Sequence, residues 1–144
     1  MMVQPSKRAW PEETGASRNL ELALQRNNEA PAIARAAVTG WCEDLDLSGS
    51  LGQTLVLLVS EVVTNAVLHS RGPAGAPIIL TARVIKGSLH VTVTDAGRGF
   101  HPRPRDPAGG DDGYGLYLLD KVAEEWGVDL VGGTRVWFKL SRTT

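Results

Sequence analysis

The sequence predicts an α+β fold, a two-layer sandwich in which three main helices pack on a mixed, mostly antiparallel sheet of about five strands. Two kinds of pattern indicate this class. One long apolar run, 55–70, has the spacing of a buried helix, whereas five shorter runs have the composition or alternation of strands. Two of these strand runs follow each other across a short turn, and two more lie at the end of the sequence around a glycine pair.

Length and composition indicate one ordinary globular domain. The chain has 144 residues, 42% of them hydrophobic and 22% charged, with a formal net charge of −1. This balance lacks the basic field typical of nucleic-acid or anionic-membrane binding. Cys42 is the only cysteine, which excludes an internal disulfide and a cysteine-based zinc site. Without a membrane span or a signal peptide in the sequence, we expect a cytoplasmic protein.

The N-terminal third divides into an arm, a strand and a helix. Residues 1–17 lack periodicity and are predicted to form a flexible arm, in which Trp10 either anchors a partner or lies back on the domain. The domain then spans 18–144. Leucines alternate along 20–24, as in a half-buried strand. Pro31 can open a helix, and its predicted apolar stripe is Ile33, Ala36, Ala37, Val38, Trp41 and Leu45.

The second half of the chain is predicted to hold the remaining strands and a third helix. Strands at 78–85 and 89–94 are joined by a turn at 86–88. Prolines and glycines exclude regular structure from 100–113 and predict a loop at 71–77. A helix is predicted at 116–126 and a final strand pair at 128–131 and 134–140, with Val136, Phe138 and Leu140 facing inward.

The helical run 55–70 carries three polar side chains on one face. Glu61, Asn65 and His69 recur every four residues, so each lies about 40° round the helix from the last. The opposite face, which we expect to dock on the sheet, consists of Leu55, Val56, Val59, Val62, Val63, Ala66 and Val67. Three leucines share the polar side, namely Leu57, Leu58 and Leu68. Polar groups sunk among leucines are costly without a partner, so the pattern predicts a polar ligand here.

Two glycine-containing segments follow this helix. Asp95 stands at a strand end and is followed by Gly97 and Gly99, which places an acceptor-only side chain beside backbone that a flat ligand can approach. A calcium loop fits poorly, because glycines occupy positions that need oxygen ligands. The second segment opens a helix, where backbone N–H groups favour phosphate, and consists of Gly113, Tyr114, Gly115 and Leu116. Thr134 adds a hydroxyl before the last strand.

The order of these features resembles the GHKL ATP-binding fold, also called the Bergerat fold, of histidine-kinase catalytic domains and gyrase. Within that fold, the stretch 60–69, SEVVTNAVLH, is similar to the first motif of the bacterial anti-sigma-factor serine kinases. The resemblance covers roughly residues 20–140 and implies ATP and Mg²⁺ as cofactors. It implies that Glu61 is the general base and that Asn65 coordinates Mg²⁺.

The resemblance also assigns the nucleotide contacts. Asp95 would receive the adenine amine, Gly97 and Gly99 would shape its pocket, and Thr134 would bind adenine through water. His69 would line the phosphate side. The phosphates would be capped by the run Gly113, Tyr114, Gly115 and Leu116.

Among the members of this fold, the single-domain anti-sigma serine kinases match a chain of this size best. The resemblance then implies that the chain binds a sigma factor and phosphorylates a serine of a STAS-domain antagonist. Because members of the family commonly dimerise, it also implies a homodimer. No direct contact with nucleic acid or a membrane is expected.

Two other functions are compatible with parts of the sequence. A nucleotide-binding interaction module without useful kinase activity is suggested by the short, proline-rich segment 100–113, whose nearest cations are Arg98, Arg103 and Arg105. A metal-dependent hydrolase using Glu61 and His69 lacks a third ligand at zinc-site spacing. The presence of both Glu61 and Asn65 favours a kinase, because a pure binder has no use for a base.

Overall fold

The computed structural model describes residues 19–47, 49–69, 75–96, 114–130 and 133–141. Most of segment 71–77, all of segment 100–113 and the predicted arm 1–17 lie outside these residues. The helices and strands follow one another as β1 (Asn19–Leu24), α1 (Ala30–Asp44), α2 (Gly49–His69), β2 (Ile78–Ile85), β3 (Ser88–Asp95), α3 (Tyr114–Val122), β4 (Glu125–Asp129) and β5 (Thr134–Ser141).

The strands form one sheet in the order β1-β2-β3-β5-β4. The predicted α+β sandwich of three helices on five strands is confirmed, but the sheet is antiparallel at every pairing of the described strands rather than mixed. Two hairpins, β2–β3 and β4–β5, account for half of these pairings. The turn between β2 and β3 consists of Lys86 (φ 51°) and Gly87 (φ 82°), as a two-residue turn with positive φ at both positions requires.

The core lies between the helices and one face of the sheet. Alternate residues of the three central strands are buried there, namely Ile78, Leu80, Ala82, Val84, Leu89, Val91, Val93, Val136, Phe138 and Leu140. The inward orientation predicted for the last three is confirmed. On the other face, Thr81 and Thr92 hydrogen-bond through their hydroxyls at 2.6 Å across β2 and β3. The sheet is therefore apolar on its helix side and polar on the other, as expected when helices cover one face.

The first helix buries only part of the predicted stripe, which is confirmed at Val38, Trp41 and Leu45. Its buried residues are Ala30, Ala34, Val38, Trp41 and Cys42, whereas Ile33 is 48% exposed and Ala36 is also exposed. Small side chains at Ala30 and Ala34 face the core, so the helix packs closely there and the larger Ile33 is turned outward. Leu45 is buried just beyond the end of the helix.

The second helix begins at Gly49, six residues before the predicted start, and ends at His69. It packs against α1, α3 and β3. Its length and its hydropathy of 1.6 would suit a membrane span, but eight of its residues are buried inside this domain. The predicted docking face is confirmed at Leu55, Val59, Val62, Val63 and Ala66, and Val56 and Val67 pack at its margin. Of the leucines assigned to the polar side, Leu58 is buried, whereas Leu57 and Leu68 are 46% and 59% exposed.

The C-terminal elements differ from the prediction in the bounds of α3 and β4. The predicted helix 116–126 is α3, which begins at Tyr114 and already ends at Val122. Trp126 belongs to β4, where it pairs with Phe138 and donates a hydrogen bond from Nε1 to Asp120 Oδ1 at 3.2 Å. Strand β4 therefore begins before the predicted strand 128–131. Residues whose local composition also suits a helix pair with β5 instead.

Candidate functional site

The C-terminal half of α2 carries the three polar residues singled out in the sequence. Glu61, Asn65 and His69 occur at four-residue intervals within one uninterrupted helix, and each is half-buried. The Nε2 atom of His69 is buried. The helix holds these side chains at fixed intervals because its opposite face is anchored in the core. Because these three side chains are half-buried, contacts within the protein rather than with solvent determine their positions.

The carboxyl group of Glu61 is subject to two opposing influences. Burial raises the pKa of Glu61, and the positive charge of Arg35 on α1 lowers it, with burial the larger effect. Arg35 is held beside this part of α2 because its Nη1 donates a hydrogen bond to Ser60 Oγ at 2.9 Å. A carboxylate with a raised pKa is a stronger proton acceptor, which is the property that a general base needs.

A second polar cluster lies at one end of the sheet. Asp95, the last residue of β3, pairs with Thr134, the first residue of β5, and they are 6% and 2% exposed. Gly133 comes just before this pair with a φ of 153°. A Cβ atom at Gly133 would overlap the carbonyl oxygen of Asp95, so only glycine allows the two backbones to approach this closely. The structure thus brings together Asp95 and Thr134, which are far apart in sequence.

The structure describes only some of the remaining predicted site residues. Tyr114, Gly115 and Leu116 form the first turn of α3, where backbone N–H groups have no partners within the helix. Gly97, Gly99 and Gly113 lie outside the described residues, as do Arg98, Arg103 and Arg105. The predicted roles of all these residues stay predictions.

The described residues fit a magnesium nucleotide. Mg²⁺ in nucleotide sites keeps several waters and takes few ligands from the protein, the rest coming from phosphates, so the amide oxygen of Asn65 would be a compatible ligand. Among the described residues, no group of three or more His, Cys, Asp or Glu side chains could hold a metal ion, which also leaves the hydrolase alternative without a site there. Asp95 offers a buried acceptor to an exocyclic amine, and the first turn of α3 offers donors to phosphate.

Sequence reasoning missed Arg35 and Ser60. Arg35 belongs to no motif, and only the packing of α1 on α2 brings it to Ser60. The available signal was weak. Ser60 directly precedes Glu61 in a buried stretch, and a buried hydroxyl needs a partner from another element.

Comparison with known proteins agrees with this arrangement. A profile described as histidine kinase-like ATPase domain matches residues 24–140. The chain is 34% identical over 95 residues to the sensor protein BceS of Halalkalibacterium halodurans, covering 57% of this chain and 28% of that protein. It is 30% identical over 88 residues to an anti-sigma F factor of Clostridium botulinum, covering 60% of each. The chain thus spans between about a quarter and three fifths of the length of these relatives.

Among solved structures, the RsbU and RsbW domains of a Mycobacterium tuberculosis protein superpose with a TM-score of 0.70. The match covers 87% of this chain and 32% of the other at 21% sequence identity, which supports the shared fold. The profile match includes α2 with Glu61 and Asn65 as well as the buried pair of Asp95 and Thr134. With its fold and most of its length matched, the chain belongs to the family of histidine kinase-like ATPase domains.

Proposed function

We propose that this chain is an ATP-dependent anti-sigma-factor serine kinase of the cytoplasm. In this proposal it binds a sigma factor and transfers phosphate from ATP to a serine of a STAS-domain antagonist. The observation that carries the proposal is Glu61, a half-buried carboxyl group of raised pKa, one helical turn from Asn65. The similarity to a protein named as an anti-sigma F factor supports the choice within the family.

The proposed chemistry assigns one task to each cluster. Glu61 accepts the proton of the acceptor serine as the serine oxygen bonds to the γ-phosphorus and the bond to the leaving ADP breaks. Asn65 is the residue that would hold Mg²⁺, which when bound would neutralise charge on the phosphates. Asp95 accepts a hydrogen bond from the adenine amine, which orients the nucleotide. Backbone N–H groups at the start of α3 stabilise phosphate charge.

Calorimetric titration with ATP, with and without Mg²⁺, tests the nucleotide half of this proposal. We expect Mg²⁺-dependent binding by the wild type, loss of the Mg²⁺ dependence in Asn65→Ala, and loss of binding in Asp95→Ala. Glu61→Ala should bind ATP like the wild type and serves as the matched control. Absence of binding at millimolar ATP would contradict the proposal and leave a scaffold that binds proteins only.

A transfer assay then tests the kinase half. With γ-labelled ATP and STAS-domain proteins from the same genome, the wild type should label a serine and Glu61→Ala should not. Full labelling by Glu61→Ala would show that Glu61 is not the base. ATP binding without transfer by the wild type would instead support the nucleotide-binding interaction module.

A further inference from the structure

A groove of about 590 Å³ lies between the end of α1 and the beginning of α2. Its wall is mostly apolar and is formed by Thr39, Cys42, Glu43, Leu47, Gly49, Gly52, Gln53, Val56 and Leu57. Leu57 is 46% exposed there, although most side chains of this size are buried. Gly52 contributes to the depth of the groove, since a Cβ at that position would lie 3.3 Å from the Leu47 carbonyl oxygen and 3.9 Å from Cys42 Sγ.

The rim of the groove is acidic. Glu43 lines it, and Asp44 and Asp46 are exposed beside it at the end of α1. The last turn of α1 contains no basic residue. The partial negative charge of a helix C-terminus adds to these carboxylates. The groove therefore suits an apolar anchor that is accompanied by positive charge.

The N-terminal segment, residues 1–18, joins the domain at the beginning of β1. Only residues 25–29 connect β1 to α1, and the two elements pack on each other, so the chain reverses direction between them. The beginning of β1 at Asn19 thus lies toward the end of α1. Trp10 precedes Asn19 by nine residues, which can span up to about 30 Å. Since α1 is about 22 Å long, Trp10 can reach the groove.

The composition of this segment complements the groove. Lys7 and Arg8 lie three and two residues before Trp10, and no acidic side chain precedes them, whereas Glu12 and Glu13 follow Trp10. Tryptophan is the largest apolar anchor available to a segment, and the two cations on its N-terminal side match the carboxylates on the rim. We propose that Trp10 docks in the α1–α2 groove of its own chain, with Lys7 and Arg8 facing Glu43 and Asp44.

Docking of this kind places the segment beside the proposed catalytic face. Leu57, which lines the groove, lies one helical turn before Glu61. Attachment to the same chain gives the segment a high effective concentration, so a weak contact suffices to occupy the groove. The contact goes beyond the proposed kinase function and does not depend on nucleotide binding.

Cys42 supplies a built-in reporter of groove occupancy. It is the only cysteine, it lines the groove, and it is 5% exposed. The experiment is to measure the rate of alkylation of Cys42 by iodoacetamide, by intact mass, in the full chain at one fixed alkaline pH. If the docked form holds about nine tenths of the population, Trp10→Ala should raise the rate about tenfold. Gln4→Ala, in the same segment, is the matched control and should leave the rate unchanged.

Variants on the groove side separate docking from a general loss of stability. Glu43→Lys should also speed alkylation, and combining it with Lys7→Glu and Arg8→Glu should restore protection. Leu57→Asp should speed alkylation without adding to the effect of Trp10→Ala, because both remove the same contact. Equal rates in wild type and Trp10→Ala would overturn the proposal. So would protection that Trp10→Ala leaves intact and dilution removes, since that result would assign the groove to a second copy.

Discussion

Glu61 experiences burial and a neighbouring positive charge at the same time. Burial raises the pKa of its carboxyl group, and Arg35, fixed by its hydrogen bond to Ser60, limits the increase. A general base must be ionised to act and must also be a strong proton acceptor. The positive charge of Arg35 favours the ionised form of the carboxyl group, whereas burial favours the protonated form and raises its basicity.

Replacing Arg35 should therefore alter Glu61 without touching it. We expect the pKa of Glu61 to rise further in Arg35→Ala, because the opposing charge is lost. Carbon-13 NMR titration of the glutamate carboxyl groups measures this directly. Arg35→Lys is the matched control and should retain most of the wild-type value. An unchanged pKa in Arg35→Ala would show that Arg35 does not influence Glu61.

The same burial gives Glu61→Gln a pH-dependent effect on stability. Because the pKa of Glu61 is higher in the folded chain than in the unfolded chain, the free energy of unfolding falls as pH rises through the interval between the two values. Above that interval the full penalty is present. We expect Glu61→Gln to melt at a higher temperature than the wild type at neutral pH. The difference should vanish below about pH 4, where glutamate is protonated in both states. Thermal melts at both pH values check this, and a constant difference would contradict it.

At this scale the sequence was informative where the signal was local. The four-residue spacing of Glu61, Asn65 and His69 placed them on one helix, because helical periodicity alone determines that. Arg35 could not be predicted, since its contact with Ser60 depends on how α1 packs on α2. Periodicity also could not predict that Leu57 and Leu68 are exposed, because it does not reveal what covers each face of a helix.

At the level of elements, β5 depends on two glycines in different ways. Gly133 lies before it with positive φ and against the backbone of Asp95, whereas Gly127 of β4 lies under the Trp137 ring. A Cβ at Gly127 would approach Trp137 side-chain atoms to 2.7 Å. A side-chain ring can shift, but a paired backbone cannot.

The two glycines therefore make a matched pair for mutation. Gly133→Ala should lower the free energy of unfolding by about 2–4 kcal/mol, from strained backbone and overlap with Asp95. Gly127→Ala should change the free energy of unfolding by no more than about 1 kcal/mol. The cost of moving the Trp137 ring is offset because alanine lowers the conformational entropy of the unfolded chain. Urea denaturation of both variants measures the difference, and equal losses would show that the close approach at Gly133 is not tight.

Element boundaries were predictable where the signals are local, but not at the start of α2, six residues before its predicted start, nor where strand pairing overrides local composition. Strand β2 has the predicted bounds, because both its alternation and its turn are local signals. The helix predicted through Trp126 was wrong at its end, because Trp126 pairs with Phe138 of β5. No local signal reports a strand that is recruited by a partner further along the chain.

For the molecule as a whole, nucleotide binding should appear as stability. A ligand that binds only the folded chain, present at about 100 times its Kd, adds about 2.7 kcal/mol to the free energy of unfolding. For a domain of this size, that is a rise in Tm of about 5–10 °C. We expect this rise with ATP and Mg²⁺ in the wild type and in Glu61→Gln, but not in Asp95→Asn. A full rise in Asp95→Asn would place the nucleotide elsewhere.

The order of the strands has a consequence for the making of this protein. Strand β5 comes last in the chain but lies inside the sheet, between β3 and β4. A chain still leaving the ribosome can form the helix that bears Glu61 from local contacts. Asp95 and Thr134 can pair only after β5 has emerged. We therefore expect a nascent chain to gain affinity for ATP only after β5 has left the ribosome and paired with β3.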